Sequence, residues 1–366
     1  MAADARAGAF VRPSTRSELA ARVGSLAMLL TLVAAVTGLA SLGSAVLQNV
    51  LIVMLINLTL VVGLYIFVGN TGVFSFGHIA FMAIGAYTAG IVRIPEETKT
   101  TLFQLPPWLE RVHLSSLQAV LLGAGVATLA AMVVALPLMR LGGLTAGLGT
   151  FALLNIVNIV AANWNAFTGG STGMAGVPTT TGIPAALSWA LIAIVLAWLF
   201  QQTRLCLRVR ASREDEPAAR ALGMRVVPDR AVSFVLSAFV CGAAGGLYGQ
   251  LQGSFGPSAF FLTTTFTVVA MLVVGGRYSL SGAVIGAIFL ASISEGLRRL
   301  EGGFDVGPLH VPSRPGLQEV GLAAAMLLTL LLRPRGLTGG VELGFADLGR
   351  LARLRLPRTP SEENVA

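Results

Sequence analysis

The sequence predicts an all-α membrane protein with about ten transmembrane helices. Its 366 residues are 55% hydrophobic and only 11% charged, and its mean hydropathy is +0.79, whereas soluble domains carry about 25% charged residues. Apolar stretches of roughly 20 residues recur from end to end, and each is long enough to cross a hydrocarbon core of about 30 Å. We expect helices throughout because lipid offers no partner for open backbone groups.

The predicted spans follow one another with short polar connections. Four arginines occupy residues 1–22, ahead of the first apolar stretch, as they do in signal peptides. The polar region is long and the apolar run continues almost directly into a second one, so we interpret it as an uncleaved first helix. The spans are predicted at 23–42, 45–67, 74–93, 117–139, 144–163, 184–203, 231–251, 259–276, 279–297 and 316–332.

Basic residues predict that both termini face the cytoplasm. With the N-terminus inside, 19 of the 25 basic residues fall in inner segments, as the positive-inside rule requires. The same distribution explains the net charge of +8 and disfavours nucleic-acid binding. The predicted organisation is a cytoplasmic segment at 1–22, a transmembrane domain at 23–335 and a cytoplasmic tail at 336–366. Tail residues at helical spacing predict an amphipathic helix on the inner leaflet, with a disordered basic tail as the alternative; they are Phe345, Leu348, Leu351 and Leu354.

A charged segment at 204–230 separates two predicted spans on the cytoplasmic side. It holds seven arginines and, at 214–223, the sequence EDEPAARALG. Asp215 suits a helix N-cap, Pro217 the first helical position and Gly223 the end of the helix. The sequence therefore predicts a compact charged helix on the membrane surface, where a soluble partner can dock.

Several functions are disfavoured by the residue types available. A phosphate-binding loop of the Gly-x-x-x-x-Gly-Lys-Ser/Thr type needs a lysine, and the only lysine, Lys99, has no glycine nearby. ATP-driven transport would thus require separate ATPase subunits. Only Glu295 and Glu319 among the acidic residues fall in predicted spans, near their ends, which disfavours a carrier driven through buried carboxylates. The three histidines and two cysteines are far apart in the sequence and indicate neither a metal site nor a disulfide framework.

Uncharged polar residues inside the predicted spans form a second group of candidates. They either hydrogen-bond neighbouring helices or line a path for a small polar solute. The uncharged connection at 164–183 is rich in glycine and hydroxyl groups, so we expect it to fold back near the mouth of such a path, with a surface linker as the alternative. Glycines at four-residue spacing, such as Gly245 and Gly249, predict close helix packing. The polar span residues are Asn49, Asn57, Thr59, Ser75, Thr145, Thr150, Asn155, Asn158 and Asn163.

Three stretches resemble the permease family of branched-chain amino acid ABC importers. The first is Gly69–Tyr87, which contains Ser75-Phe76-Gly77-His78 and is preceded by Asn57-Leu58; the second runs from Asn163 to Pro178; the third joins Arg213–Gly223 to Val274–Gly286. Each stretch alone is weak, but their order and spacing over residues 50–335 resemble the M-type subunit, one of two permeases in such a complex. Two departures are Pro217, where the family has an aliphatic residue, and Arg277-Tyr278, where small residues are usual.

The resemblance implies the non-enzymatic half of a translocation pathway in a bacterial cytoplasmic membrane, surrounded by lipid. The partners it implies are a second permease, two cytoplasmic ATPases and an extracytoplasmic substrate-binding protein. ATP and Mg²⁺ would bind the ATPases, with no cofactor in this chain. The ATPase-coupling residues it implies are Glu214, Asp215, Glu216, Ala218, Ala219 and Gly223, and the candidate pathway residues are Asn57, Ser75, Gly77, His78, Asn163, Thr168 and Ser171.

Four alternatives stay open at this point. A permease of the same family could carry urea, short amides or other amino acids, because specificity in such importers lies largely in the binding protein. A simple-sugar permease, a stand-alone secondary carrier or channel, and a structural membrane anchor fit the sequence less well. His78 has two interpretations of its own, a hydrogen-bonded packing residue between helices or a pathway residue.

Overall fold

The computed structural model describes residues 15–103, 105–302, 304–306, 309–311, 316–340 and 342. The described chain is helical apart from turns and one small hairpin, and single 3-10 turns lie at Gly170–Thr172 and Pro257–Phe260. The helices are α1 (Thr15–Ser41), α2 (Ala45–Thr71), α3 (His78–Arg93), α4 (Glu96–Leu102), α5 (Pro107–Glu110), α6 (Ser116–Met139), α7 (Gly143–Asn163), α8 (Asn165–Thr168), α9 (Ile183–Gln201), α10 (Arg204–Glu214), α11 (Glu216–Ala221), α12 (Val226–Gln252), α13 (Leu262–Gly275), α14 (Leu280–Glu301) and α15 (Leu317–Leu332).

Each predicted span coincides with a helix, which confirms the all-α polytopic fold. Eight spans in the described chain are long and apolar enough to cross a membrane, namely α1, α2, α6, α7, α9, α12, α13 with its preceding 3-10 turn, and α14. Helix α3 has only 16 residues, and α15 contributes the shorter apolar stretch Val320–Thr329. These two helices coincide with the remaining predicted spans, 74–93 and 316–332, but are shorter than the other eight.

The core of the molecule lies around α2 and α12. Over its most apolar window α2 is 83% buried, whereas the peripheral helix α7 is 28% buried. Glycines allow α12 to approach its neighbours α3 and α6 backbone to backbone. A Cβ added to Gly245 would lie 1.9 Å from the Met82 carbonyl oxygen, and one added to Gly85 would lie 2.1 Å from the Gly242 oxygen. Close packing through small residues, as predicted, therefore holds these helices together.

The boundary between the second and third spans differs from the prediction. Helix α2 continues to Thr71 instead of 67, because the Asn70 and Thr71 side chains donate to the carbonyls of Ile66 (3.0 Å) and Phe67 (2.8 Å) and so remain satisfied when buried. Gly72, with φ of +72°, ends the helix. Helix α3 then begins at His78 instead of 74, and the intervening Phe76 N–H donates to the Thr150 hydroxyl (3.2 Å).

Contacts of α10 and of the segment after α15 define one end of the helix bundle. The Arg213 guanidinium donates to the Gly69 carbonyl near the end of α2 (2.9 Å). Glu342 accepts the N–H groups of Leu280 and Ser281 at the start of α14 (2.8 and 3.1 Å). We call this the α11 end. The start of α2, the end of α14 and the start of α15 consequently lie toward the opposite end.

The glycine-rich connection folds back on the bundle at the opposite end. Met174 and Phe255 exchange two backbone hydrogen bonds of 2.9 Å, and Val177 donates to Gly253 (3.0 Å). The prediction of a folded-back loop is confirmed, and the surface-linker alternative is wrong.

An antiparallel hairpin of β1 (Phe304–Val306) and β2 (Leu309–Val311) follows α14 and was not predicted. The start of the N-terminal segment, at 1–14, and the amphipathic helix predicted around Phe345–Leu354 lie outside the described residues.

Candidate functional site

Helix α11 is a separate, capped helix between two spans, as the sequence predicts. The Asp215 carboxylate accepts the N–H of Ala218 (2.9 Å), which satisfies one of the free donors of the first turn. Pro217 occupies the second helical position instead of the predicted first, because Glu216 follows the Asp215 cap directly. Its missing N–H has no partner to lose there either.

Glycine ends this helix in a Schellman arrangement. Gly223 has φ of +78°. Its N–H donates to Arg220 (2.9 Å), and the next N–H, of Met224, donates to Ala219 (3.1 Å). The prediction that Gly223 closes the helix is confirmed.

Glu216 connects α11 to the start of α12. Its carboxylate pairs with Arg230 (2.9 Å) and with Arg220 one turn later (2.7 Å). The Arg230 side chain is only 6% exposed and also donates to the Ser212 carbonyl (3.3 Å). Burial by itself would raise the pKa of Glu216, but the hydrogen bonds and charges of Arg220 and Arg230 outweigh it and lower that pKa. The carboxylate is therefore held ionised between two guanidinium groups.

The outer face of α11 is free of contacts with the rest of the chain described here. Asp215, Ala218 and Gly223 are exposed, and Leu222 is 77% exposed. Ala219 is buried against the bundle. Of the predicted coupling residues, Glu216 and Ala219 anchor the helix, and the others present a surface.

Two arginines and two aromatic residues brace the neighbouring helix ends. Arg213 and Arg277 each place a guanidinium carbon 4.6 Å from the centre of the Tyr278 ring, and Arg277 also lies 5.0 Å from the Phe74 ring. Cation–π contacts of this kind accommodate the charge at 277 that departs from the family pattern.

A hydrogen-bonded chain continues from α10 into the bundle. Arg210 donates to Asn70 (2.8 Å) and to the Tyr65 hydroxyl (3.3 Å). Gln201 donates to the same hydroxyl (2.7 Å) and to Glu342 (3.0 Å). These contacts join α10 to α2, α9 and, through Glu342, to the start of α14.

The pathway candidates near α3 lie in a tightly packed place. The Ser75 hydroxyl and the His78 Nδ1 atom are 2.7 Å apart. The His78 ring, 2% exposed, contacts Phe67, Phe81 and Phe234 with ring centres 5.3–6.2 Å away. A Cβ on Gly77 would lie 2.7 Å from the Thr150 carbonyl oxygen, so α3 and α7 approach closely there. This surrounding favours the packing interpretation of His78.

The other pathway candidates lie elsewhere. Asn163 and Thr168, at the opposite end, donate to backbone carbonyls of Ile159 (2.8 Å) and Ala161 (2.6 Å), and Ser171 is exposed beside them. Asn57, half-buried in the middle of α2, lines a cavity bounded by α13, α14 and α15. The structure therefore does not bring the seven candidates together.

Some residues of the site were not selected from the sequence. Arg230 interacts with Glu216, 14 positions away, and Glu342 interacts with residues 61 or more positions away along the chain. No local motif reveals such separations. Ser294 and Arg298, which line the same cavity as Asn57, stand four residues apart on α14. Their helical spacing was the one signal available.

Comparison with known proteins agrees with this geometry. The family model described as "Branched-chain amino acid transport system / permease component" matches residues 46–330. The high-affinity branched-chain amino acid transport system permease protein LivM of Salmonella typhimurium is 27% identical over 319 residues, covering 77% of this chain and 68% of that protein.

Two further relatives match shorter parts of the chain. A probable branched-chain amino acid transport permease protein LivH of Methanocaldococcus jannaschii is 32% identical over 151 residues, which cover 41% of this chain and 45% of that protein. A nucleoside ABC transporter permease protein, NupC, of Lactococcus lactis is 30% identical over 112 residues, which cover 30% and 34%. No solved structure matches the chain significantly.

The longer match to LivM than to LivH agrees with the predicted M-type. The model match covers most of the chain, and the helices supply the spans that a permease needs. This chain therefore belongs to the family of permease components of branched-chain amino acid transport systems, as a multi-pass subunit of the inner membrane that is not itself an enzyme.

Proposed function

We propose that this chain forms half of the translocation pathway of an ATP-driven importer for branched-chain amino acids and that α11 is its contact with an ATPase. The observation that carries the proposal is a fully capped helix of six residues, Glu216–Ala221, placed between two spans with an exposed outer face. A helix too short to be stable alone is held here by caps and by two ion pairs. Such a construction suits a rigid docking element.

The contacts of α11 supply a route for coupling. When the ATPases close on ATP, a displacement of α11 acts on α12 through Glu216 and Arg230, and on α2 through Arg213 and Gly69. Nucleotide can then favour one form of the pathway over the other, provided that the contacts to α11 differ between the two forms.

The assembly that we propose has four kinds of partner. A second permease completes the pathway, two ATPases carry ATP and Mg²⁺, and an extracytoplasmic protein delivers the solute. Because ATP is cytoplasmic, the α11 end and both termini would face the cytoplasm, as the arginine distribution predicts.

A different solute is the nearest alternative. The binding protein would select the solute, and the likeness to a nucleoside permease shows that related chains are named for other solutes. The same permease architecture could carry urea, short amides or other amino acids. A stand-alone carrier fits less well, because it would not need an exposed capped helix.

Affinity purification of the tagged chain from its native membrane tests the proposal. Mass spectrometry should identify a second permease, ATPases and a binding protein, and the reconstituted complex should take up leucine only with ATP. A chain that purifies alone in mild detergent and transports without ATP would overturn it. Leu222→Arg should release the ATPases, and Leu207→Arg, at another exposed leucine on α10 (61% exposed), serves as the matched control.

A further inference from the structure

A cavity of about 470 Å³ lies between α2, α13, α14 and α15. We call it the polar cavity after its polar side chains, although most of its lining surface is apolar. It extends from the middle of α2, at Asn57, toward the end of the bundle opposite α11, where Arg298 of α14 and Gln318 of α15 contribute. This volume is within the range of small-molecule sites, about 300–1,000 Å³. More than half of the lining side chains are polar or charged, although all come from spans; those that matter are Asn49, Asn57, Ser294, Glu295, Arg298 and Gln318.

The asparagines of this cavity differ from those of the other spans. Asn70, Asn155 and Asn163 each donate to a carbonyl of their own helix. Within the residues that the structure describes, the half-buried side chain of Asn57 makes no hydrogen bond, and neither does that of Asn49, which is exposed near the start of α2. An amide without a partner is unfavourable in hydrocarbon. A group that can form a hydrogen bond with Asn57 therefore suits this cavity.

The charged residues near the end of α14 make that end of the cavity unfavourable for lipid tails. The Glu295 carboxylate, 11% exposed, pairs with Arg298 (2.8 Å) and Arg299 (2.7 Å), and Gln318 donates to the Ser294 hydroxyl (2.8 Å). Ionised side chains at membrane depth face protein or water-filled space.

A second cavity shows the contrast. Its volume is about 310 Å³, and Ile84, Ile91, Val157 and Val160 are among its mostly apolar lining residues. That composition suits a lipid chain, whereas the polar cavity adds amide and charged side chains to an apolar lining. The two cavities thus offer different chemistry.

We propose that the polar cavity is a half-site through which a zwitterionic amino acid passes. Binding of the solute exchanges the ion pair between Glu295 and Arg298 for contacts with the solute. The Glu295 carboxylate then accepts from the ammonium group, the Arg298 guanidinium donates to the carboxylate, and Asn57 offers an amide to either. The aliphatic side chain finds apolar neighbours in the same lining, at Val50, Val53, Met54 and Met271. The proposal rests on the proposed importer function and assigns the pathway to the face of α2 and α14, away from His78.

Thiol labelling tests whether the cavity holds water. Single cysteines replace Asn57 and Ser294 in the assembled importer, in which both native cysteines are buried. Controls are Leu129→Cys and Val133→Cys in the middle of α6, 62% and 78% exposed and apolar. A charged, membrane-impermeant thiol reagent should react about tenfold faster or more at the cavity positions, because thiolates form only in water. Equal rates at all four positions would overturn the proposal, as lipid or the second permease would then fill the cavity.

Uptake kinetics test the contact with the solute. Glu295→Gln should lower Vmax about tenfold, the effect of losing one charge-assisted contact, while the KM set by the binding protein stays constant and the ATPases still co-purify. Glu295→Asp should recover part of the loss. Glu97→Gln, at an exposed acid of the connection after α3, is the control. Unchanged uptake with Glu295→Gln and Asn57→Ala would overturn the proposal. Failure of the importer function itself would appear separately, as absent ATP-driven uptake in the unmodified complex.

Discussion

Glu216 of α11 and Arg230 of α12 form an ion pair of 2.9 Å in which the arginine is 6% exposed. The pair joins a surface helix to the start of a central transmembrane helix. Arg220 and the Ser212 carbonyl complete its surroundings. Removal of the carboxylate would leave Arg230 buried without its anionic partner. The free-energy cost of such an unpaired buried charge exceeds the net stabilisation that the ion pair provides.

Glu216→Gln should impair uptake and ATPase binding while leaving membrane insertion intact. Loss of charged hydrogen bonds of this kind costs about 1.5–3 kcal/mol, enough to detach α11 from α12. Co-purification of the ATPase and leucine uptake measure the effect. Glu97→Gln is the control, since that carboxylate is exposed on α4, outside the segment that holds α11. Wild-type behaviour of Glu216→Gln would remove α11 from the coupling route.

The pH dependence of this ion pair follows from the lowered pKa of Glu216. A carboxyl group whose folded pKa lies below its ordinary value of 4.5 contributes its full stability above that value and loses it as pH falls through the folded pKa. ATPase association should thus be constant from about pH 8 to about pH 5.5 and weaken only in more acidic solution. Glu216→Gln should remove this acid-dependent part. If ATPase association weakened between pH 8 and about pH 5.5, and Glu216→Gln abolished that weakening, the ion-paired state of Glu216 would be contradicted.

Gly223→Ala should weaken α11 through backbone strain alone. A Cβ there would meet no atom within 4 Å, yet φ is +78°, a conformation that costs an L-residue about 1–2 kcal/mol. Gly223→Asn should retain more uptake, because asparagine tolerates the left-handed region. Gly142→Ala is the control, with equal space and φ of −108°. ATPase co-purification distinguishes the three variants, and equal behaviour of Gly223→Ala and Gly142→Ala would refute the role of the cap.

Glu342→Ala should lower the melting temperature of the purified complex. The carboxylate accepts two N–H groups at the start of α14 and the amide of Gln201, and a charged group at a helix N-terminus stabilises by about 0.3–1 kcal/mol, up to ~2 when partly buried. Glu342→Gln should show a smaller loss, because its amide oxygen still accepts. Tm measured by thermal shift, with Glu97→Ala on α4 as the exposed control, decides this. An unchanged Tm for Glu342→Ala would contradict the observed link between this segment and α14.

Local patterns predicted α11 well because its ends depend on local residues. Asp215 and Gly223 form their capping hydrogen bonds with residues three positions away. Capping residues and helix-ending glycines can be recognised in a sequence, so such local contacts can be predicted. The spans could be predicted equally well, since length and apolarity suffice to identify them. The folded-back loop at 164–183 was predicted because that connection contains no charged residue.

Long-range contacts could not be predicted in the same way. The sequence does not show that Glu342 lies at the start of α14, or that Asn57 and Ser294 share a cavity. The end of α2 was misplaced because buried Asn70 and Thr71 resemble loop residues until their helical acceptors are known. The family signature placed Ser75 and His78 in one candidate group with Asn57, although packing separates them.

Photocross-linking from Leu222 tests the central claim most directly. A photoreactive residue at this exposed position of α11, in a complex that imports leucine, should form an adduct with the ATPase subunit. The same residue at Trp108, 68% exposed in α5 between the third and fourth spans, should form none. Absence of an ATPase adduct at Leu222, or its presence at Trp108, in an active complex would contradict the assignment of α11 as the coupling helix.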